Sequence, residues 1–209
     1  MDKKAMEIAE VLNRLGNNVV MLGAMARNLG VDYDRLVRLL REFAGEDNFK
    51  EPMTISDRLV VEHRDKEGNL INRYDSGWSR NGITNAGFAE VAKLIGSGLG
   101  GTAFGYVAIG TGTTAYDATQ TTLVTETARK SASVSNETTT VTGDTVQFQA
   151  TFSSADGLSG SDAIAESGVF NASSGGTMLC RQTFSVLNIN WDAGDTLTVT
   201  WKVQIKQGT

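Results

Sequence analysis

The sequence predicts a mainly β protein with a small all-α N-terminal domain, and three observations carry that prediction. First, the C-terminal segment alternates strictly: Leu197, Val199, Trp201, Val203 and Ile205 fall on one face, and Thr196, Thr198, Thr200, Lys202, Gln204 and Lys206 on the other. That period of two is the mark of a half-buried antiparallel strand. Second, the 209 residues include 23 glycines but one proline, and beyond Gly77 the glycines are mixed with abundant threonine and serine, the composition of strands joined by many turns. Third, Lys3 to Ala44 has helical period instead. The expected architecture is an antiparallel β-sandwich or jelly-roll-like domain preceded by a three-helix, helix-turn-helix-like unit: 1–48 helical, 49–54 linker, 55–209 β with one short helix near 85–95.

In the helical unit Ile8, Leu12 and Leu15 share one face of a first helix that stops at Gly16-Asn17-Asn18. A second helix, Val19 to Asn28, ends at Gly30, and a third is capped by Asp32 and turns Leu36, Leu39, Leu40 and Phe43 inward. Ala26, Leu29, Gly30, Val31, Leu36 and Leu40 fit the apolar spacing of a helix-turn-helix. Arg35, Arg38 and Arg41 form a stripe that is the candidate nucleic-acid contact if the unit reads DNA. Asp32 and Asp34, however, stand where groove-facing residues would be and would be repelled by phosphates, so a packing or docking role is expected. Gly45 to Thr54, with the single proline at Pro52, reads as the boundary.

Beyond the boundary, Arg58 to His63 reads as a strand, 65–69 as a hairpin loop and Leu70 to Tyr74 as the return strand. Asn81 to Ile95 is a turn, a cap at Thr84 or Asn85, and one amphipathic helix; Gly96 to Thr102 is a flexible connection without the lysine of a phosphate-binding loop. Tyr106 to Ile109 is a short buried strand that breaks at Gly110-Thr111-Gly112 into a long Gly/Thr-rich loop, with a second ordered segment from Leu123. Val146, Phe148, Ala150 and Phe152 form one face of a further strand. Val169-Phe170 and Met178 to Phe184 flank a hairpin turn at Asn171 to Gly176, and Asp192 to Asp195 turns into the last strand.

These pieces resemble a family of tailed-bacteriophage virion proteins, small head-decoration, head-fibre or tail-fibre components, in which a T-N-x-G helix start precedes an A-I-G-T-G-T-T-A strand and loop. The matching residues are Thr84, Asn85 and Gly87, then Ala108 to Ala115, within roughly Val60 to Glu126. The chain departs from the family where Tyr116 replaces a proline that often follows Thr-Thr-Ala. The resemblance implies a non-enzymatic virion component, made in a host cytoplasm, whose partners are copies of itself, with a trimer favoured, and other capsid, neck or tail proteins.

Little in the sequence points to chemistry. With 19 basic and 24 acidic residues the net charge is −5, which disfavours nucleic acid as the partner of the whole chain. No apolar run approaches the roughly 20 residues of a membrane helix, and the N-terminus carries acids where a signal peptide has its apolar core. The single Cys180 reads as a buried, inert thiol, and the single His63 as a solvent-facing strand residue. Asp156, Asp162 and Glu166 read as acids in a Gly/Ser loop without calcium-loop spacing. No catalytic residue, cofactor or metal is therefore expected. Among the tryptophans, Trp201 lies on an apolar strand face, whereas Trp78 sits at a strand end. Trp78, Tyr116, Thr113 and Thr114 are the candidate interface or partner contacts, Tyr116 because a large amphipathic ring suits an interface centre. Two alternatives stand beside the structural one: a receptor-binding tip recognising a host surface glycan, and a helix-turn-helix DNA-binding protein. If the boundary is placed correctly, limited proteolysis releases a resistant fragment beginning near Met53; first cleavage within 96–102 would contradict this division.

Overall fold

A computed structural model describes residues 53–79 and 82–207, so the expectations for the helical unit, including Arg35, Arg38 and Arg41, lie outside the described residues. The described chain is mainly β: two antiparallel sheets and one helix. The strands are β1 (Thr54–Arg64), β2 (Leu70–Asp75), β3 (Tyr106–Gly110), β4 (Glu126–Ser131), β5 (Ser133–Glu137), β6 (Thr145–Phe152), β7 (Ser161–Phe170), β8 (Met178–Asn190) and β9 (Thr196–Lys206), with α1 at Asn85–Ile95. One sheet has the order β2-β1-β9-β6-β5 and the other β4-β3-β7-β8.

The two sheets close on one apolar core. Leu59 and Val61 of β1, Phe148 and Phe152 of β6, and Leu197, Val199 and Trp201 of β9 meet Val107 and Ile109 of β3, Ile164 and Val169 of β7, and Leu187 and Ile189 of β8. Alternation drives this in β1, β6 and β9, each of which turns its odd or even set inward and leaves mostly Thr, Gln and charged residues outside. Trp201 is fully buried, and its indole N–H donates to Ser167 Oγ at 3.0 Å. Ser167 in turn donates to the Ala108 carbonyl at 2.8 Å, so one hydroxyl joins the two sheets and satisfies both polar atoms.

Helix α1 begins as the sequence predicts. Thr84 is its N-cap, accepting from Gly87 N at 2.9 Å, and its own hydroxyl donates to the Met178 carbonyl at 2.6 Å. A Cβ at Gly87 would collide with the Leu179 carbonyl oxygen. The T-N-x-G pattern is thus a cap followed by a residue small enough to let the first turn press onto the backbone of β8.

Two expectations are corrected. His63 is 4% exposed rather than solvent-facing, because Leu59, Val61 and His63 share the inward face of β1; its Nε2 lies 2.8 Å from Asp195 Oδ2. Asp162 and Glu166 lie in β7, not in a Gly/Ser loop, with only Asp156 in a short 3-10 turn. From Ile164 to Phe170 every residue of β7 is buried, so both faces are covered and the alternation that announces a strand is absent. The three acids also stay apart: Asp156 pairs with Lys130, Asp162 accepts from the Trp191 indole, and Glu166 pairs with Arg181.

Two carboxylates tie the five-stranded sheet at its edges. Arg58 grips Asp75 through bonds of 2.8 and 2.6 Å and holds that carboxyl well below the usual range. At the β5–β6 turn, burial pushes Asp144 up, but N–H donors from Val141, Gln204, Thr139 and Thr140 pull it lower still. A carboxyl whose folded pKa is depressed stabilises above its unfolded value of about 4 and ceases to do so as pH falls below it. Urea unfolding should therefore show stability declining on the acid side of about pH 4. The double variant Asp75→Asn/Asp144→Asn should flatten that limb; an unchanged acid limb would contradict these assignments.

Candidate functional site

The loop between β3 and β4 is tied down from inside the chain. Glu166 of β7 accepts from Gly112 N at 3.1 Å and Thr125 N at 2.7 Å through Oε1, and from Val124 N at 3.1 Å through Oε2. Oε2 also accepts from Arg181 Nε of β8 at 2.8 Å, and both side chains are fully buried. The remaining guanidinium nitrogens donate to Gln120 Oε1 and the Thr114 carbonyl, each at 2.9 Å. One buried ion pair thus reaches both ends and the middle of the loop.

The glycines of the A-I-G-T-G pattern follow from this geometry. A Cβ at Gly112 would overlap the Glu166 carboxylate, and one at Gly110 would overlap the Thr125 carbonyl oxygen. Both positions need the absence of a side chain so that backbone and carboxylate can meet. The same loop also reaches the helix start: Asn85 N donates to the Ala118 carbonyl at 2.9 Å, and Tyr116 Oη donates to the Ile83 carbonyl at 2.5 Å. The two sequence patterns, distant in the chain, are therefore one packed substructure over β7 and β8.

A second buried acid lies beside it. Asp57 accepts from Gly82 N at 3.1 Å and from the Gln182 side-chain amide, and its backbone exchanges two 2.8 Å bonds with Ser79. Burial pushes its pKa up against those hydrogen bonds. Burial, and after it the charge of Asp57, also raises the Tyr116 hydroxyl and lifts the Cys180 thiol well above the usual range. A thiol so raised and fully buried is a poor nucleophile.

The sequence-derived candidates are distributed around this substructure. Thr113 and Thr114 are exposed on the loop, Tyr116 is half-buried with its hydroxyl turned inward, and Trp78 is 38% exposed at the turn after β2. The loop's backbone groups find partners within the chain, in Glu166, Arg181 and Asn85. Sequence reasoning missed Glu166, Arg181 and Asp57 as a group. One signal was available: Arg181 interrupts the apolar run Met178-Leu179-Cys180, and a cation there demands a buried partner.

The other feature is an apolar cleft of about 700 Å³ at one end of the sheets. Its floor is the inner face of the five-stranded sheet, where Val134, Val146, Val203 and Ile205 stand in neighbouring strands, and its far wall is Val91, Leu94 and Ile95 of α1 with Phe104 and Leu179. Leu94, Ile95, Val134, Val141 and Ile205 are between 44% and 77% exposed around it. The lining offers few polar groups, and Asp144 at the rim is already saturated by its own turn. Such a surface binds by excluding water. Among the described residues no three His, Cys, Asp or Glu side chains come together as a metal site, and no helix is long and apolar enough to cross a membrane.

Removing one partner of a buried, hydrogen-bonded ion pair costs about 3–5 kcal/mol. Arg181→Met should therefore destabilise the protein by about that amount in urea unfolding. Replacing both partners by apolar groups, often neutral elsewhere, should fail here because the amides of Gly112, Val124 and Thr125 would lose their acceptor. A loss under about 1 kcal/mol for Arg181→Met would show that the pair does not hold the loop. Scans against protein-family models, curated proteins and solved structures return no match to this chain.

Proposed function

We propose that the protein is a non-enzymatic structural component of a tailed phage particle, decorating or forming fibres on the head, neck or tail, and that its β unit assembles with copies of itself. The observation that carries the assembly reading is the apolar cleft with its exposed rim, because a soluble chain leaves a contiguous patch of this kind for a partner. The phage assignment rests on the resemblance of Thr84-Asn85-x-Gly87 and Ala108 to Ala115 to the virion family. The physical sense those residues now have, a capped helix start and a loop locked over two strands, is that of a rigid scaffold. A β-sandwich or jelly-roll-like unit with a polar outer face and one apolar end suits attachment by buried area rather than by reaction. Threefold closure is a proposal drawn from the resemblance alone.

The glycan-tip alternative has one favouring observation, the partial exposure of Trp78 beside Gly77, a position from which an indole face can stack on a sugar.

The test is localisation. Purified particles from an infection expressing a tagged copy should carry the chain in fixed stoichiometry, with the tag visible by electron microscopy at repeated positions. A chain made in quantity yet absent from purified particles would overturn the assignment.

A further inference from the structure

The β5 strand is an undefended sheet edge that borders the cleft. It pairs with β6 on one side and with no described strand on the other, so alternate residues direct an unpaired N–H and C=O outward. Ser133 to Asn136 are exposed and uncharged, without the lysine, proline or bulge that usually blocks an edge. Of the other edges, only the second half of β8, Phe184 to Asn190, is likewise uncharged and paired on one side alone, and it does not line the cleft. β2 carries Arg73 and Asp75 in ion pairs, β4 carries Glu126, Arg129 and Lys130, and the first part of β8 is covered by its bridge to Ile83. β5 also borders the cleft: Val134 is half exposed on its inward face, next to Phe148.

We propose that β5 pairs antiparallel with β5 of a second copy about a twofold axis, joining the two five-stranded sheets edge to edge and covering the mouth of the cleft. This rests on the assembly reading above. Self-pairing is chemically matched. With the five residues in full register, Ser135 faces Ser135 across the axis, Val134 faces Asn136, and Glu137, already bound to Lys202 at 2.6 Å, faces Ser133. No like charges meet. The exposed rim of Leu94, Ile95, Val134, Val141 and Ile205 supplies the apolar surface that such a pairing covers. The isologous contact makes the repeating unit a dimer, and any threefold arrangement would have to be built from such pairs.

The test uses the full chain. Sedimentation at micromolar concentration should show a dimer or an even-numbered assembly. Ser135→Cys should give a covalent dimer on mild oxidation, because an axis-facing pair brings the two Cα atoms within disulfide reach. Asn72→Cys on the β2 edge should not. Val134→Lys should weaken association by about tenfold or more, since it places an unpaired ammonium in the contact, while Leu70→Lys leaves it unchanged. Val134→Lys must keep the thermal unfolding of the folded chain, and the cross-link supplies an independent reading if it does not. An oligomer that resists Val134→Lys and gives no Ser135→Cys cross-link would overturn the β5 contact yet leave self-assembly standing. A monomer at every concentration with no cross-link would overturn both.

Discussion

The Glu166–Arg181 pair is the constraint on which the described structure depends. Between them these side chains bind three loop amides, one loop carbonyl and the Gln120 amide oxygen, all over β7 and β8. A long loop of glycine and threonine costs conformational entropy of roughly 1–2 kcal/mol per residue to order, and its amides are expensive to bury unpaired. The ion pair offsets both costs at once. Its own desolvation is tolerable because every polar atom involved has a partner; no buried side-chain nitrogen or oxygen among the described residues lacks one.

From this follows a division of labour along the molecule. The loop, the helix cap and the turn after β2 converge on one polar, internally satisfied region with threonines outside. Elsewhere, where α1 lies opposite the free end of the five-stranded sheet, the lining is mostly aliphatic, Asp144 at the rim is bound within the chain, and aliphatic side chains remain partly exposed. The first region confers rigidity and the second offers area. The proposed place in an assembly would draw on both, since a rigid apolar surface binds with little further ordering on contact.

How much of this could be read from the sequence depended on where the water lies. Strands with one wet face, such as β9 and β6, announced themselves by alternation, and the hairpins by Asn/Gly turns. The cap at Thr84 was legible because capping is a local interaction. By contrast β7, legible only at Val169-Phe170, was otherwise hidden by being buried on both faces, and β5, Ser-Val-Ser-Asn-Glu, by being nearly all polar and at an edge. His63 was misread although its neighbours Leu59 and Val61 fixed its face, because its residue type outweighed its period. The pairing of Glu166 with Arg181 could not be read at all: it is set by the register of β7 on β8, which local sequence does not reveal. The glycines at 110 and 112 were recognisable as a pattern, but their reason, the close approach of a carboxylate from a distant strand, became visible only in the fold.

A buried carboxylate from a distant strand orders the segment from Gly110 to Thr125. Native-state hydrogen exchange read residue by residue tests this most directly. The amides of Gly112, Val124 and Thr125, although outside any strand, should exchange as slowly as those of the central strands β1 and β9, and should lose protection together in Glu166→Gln. Exchange of those three amides at the rate of an open loop in the unaltered protein would contradict the account.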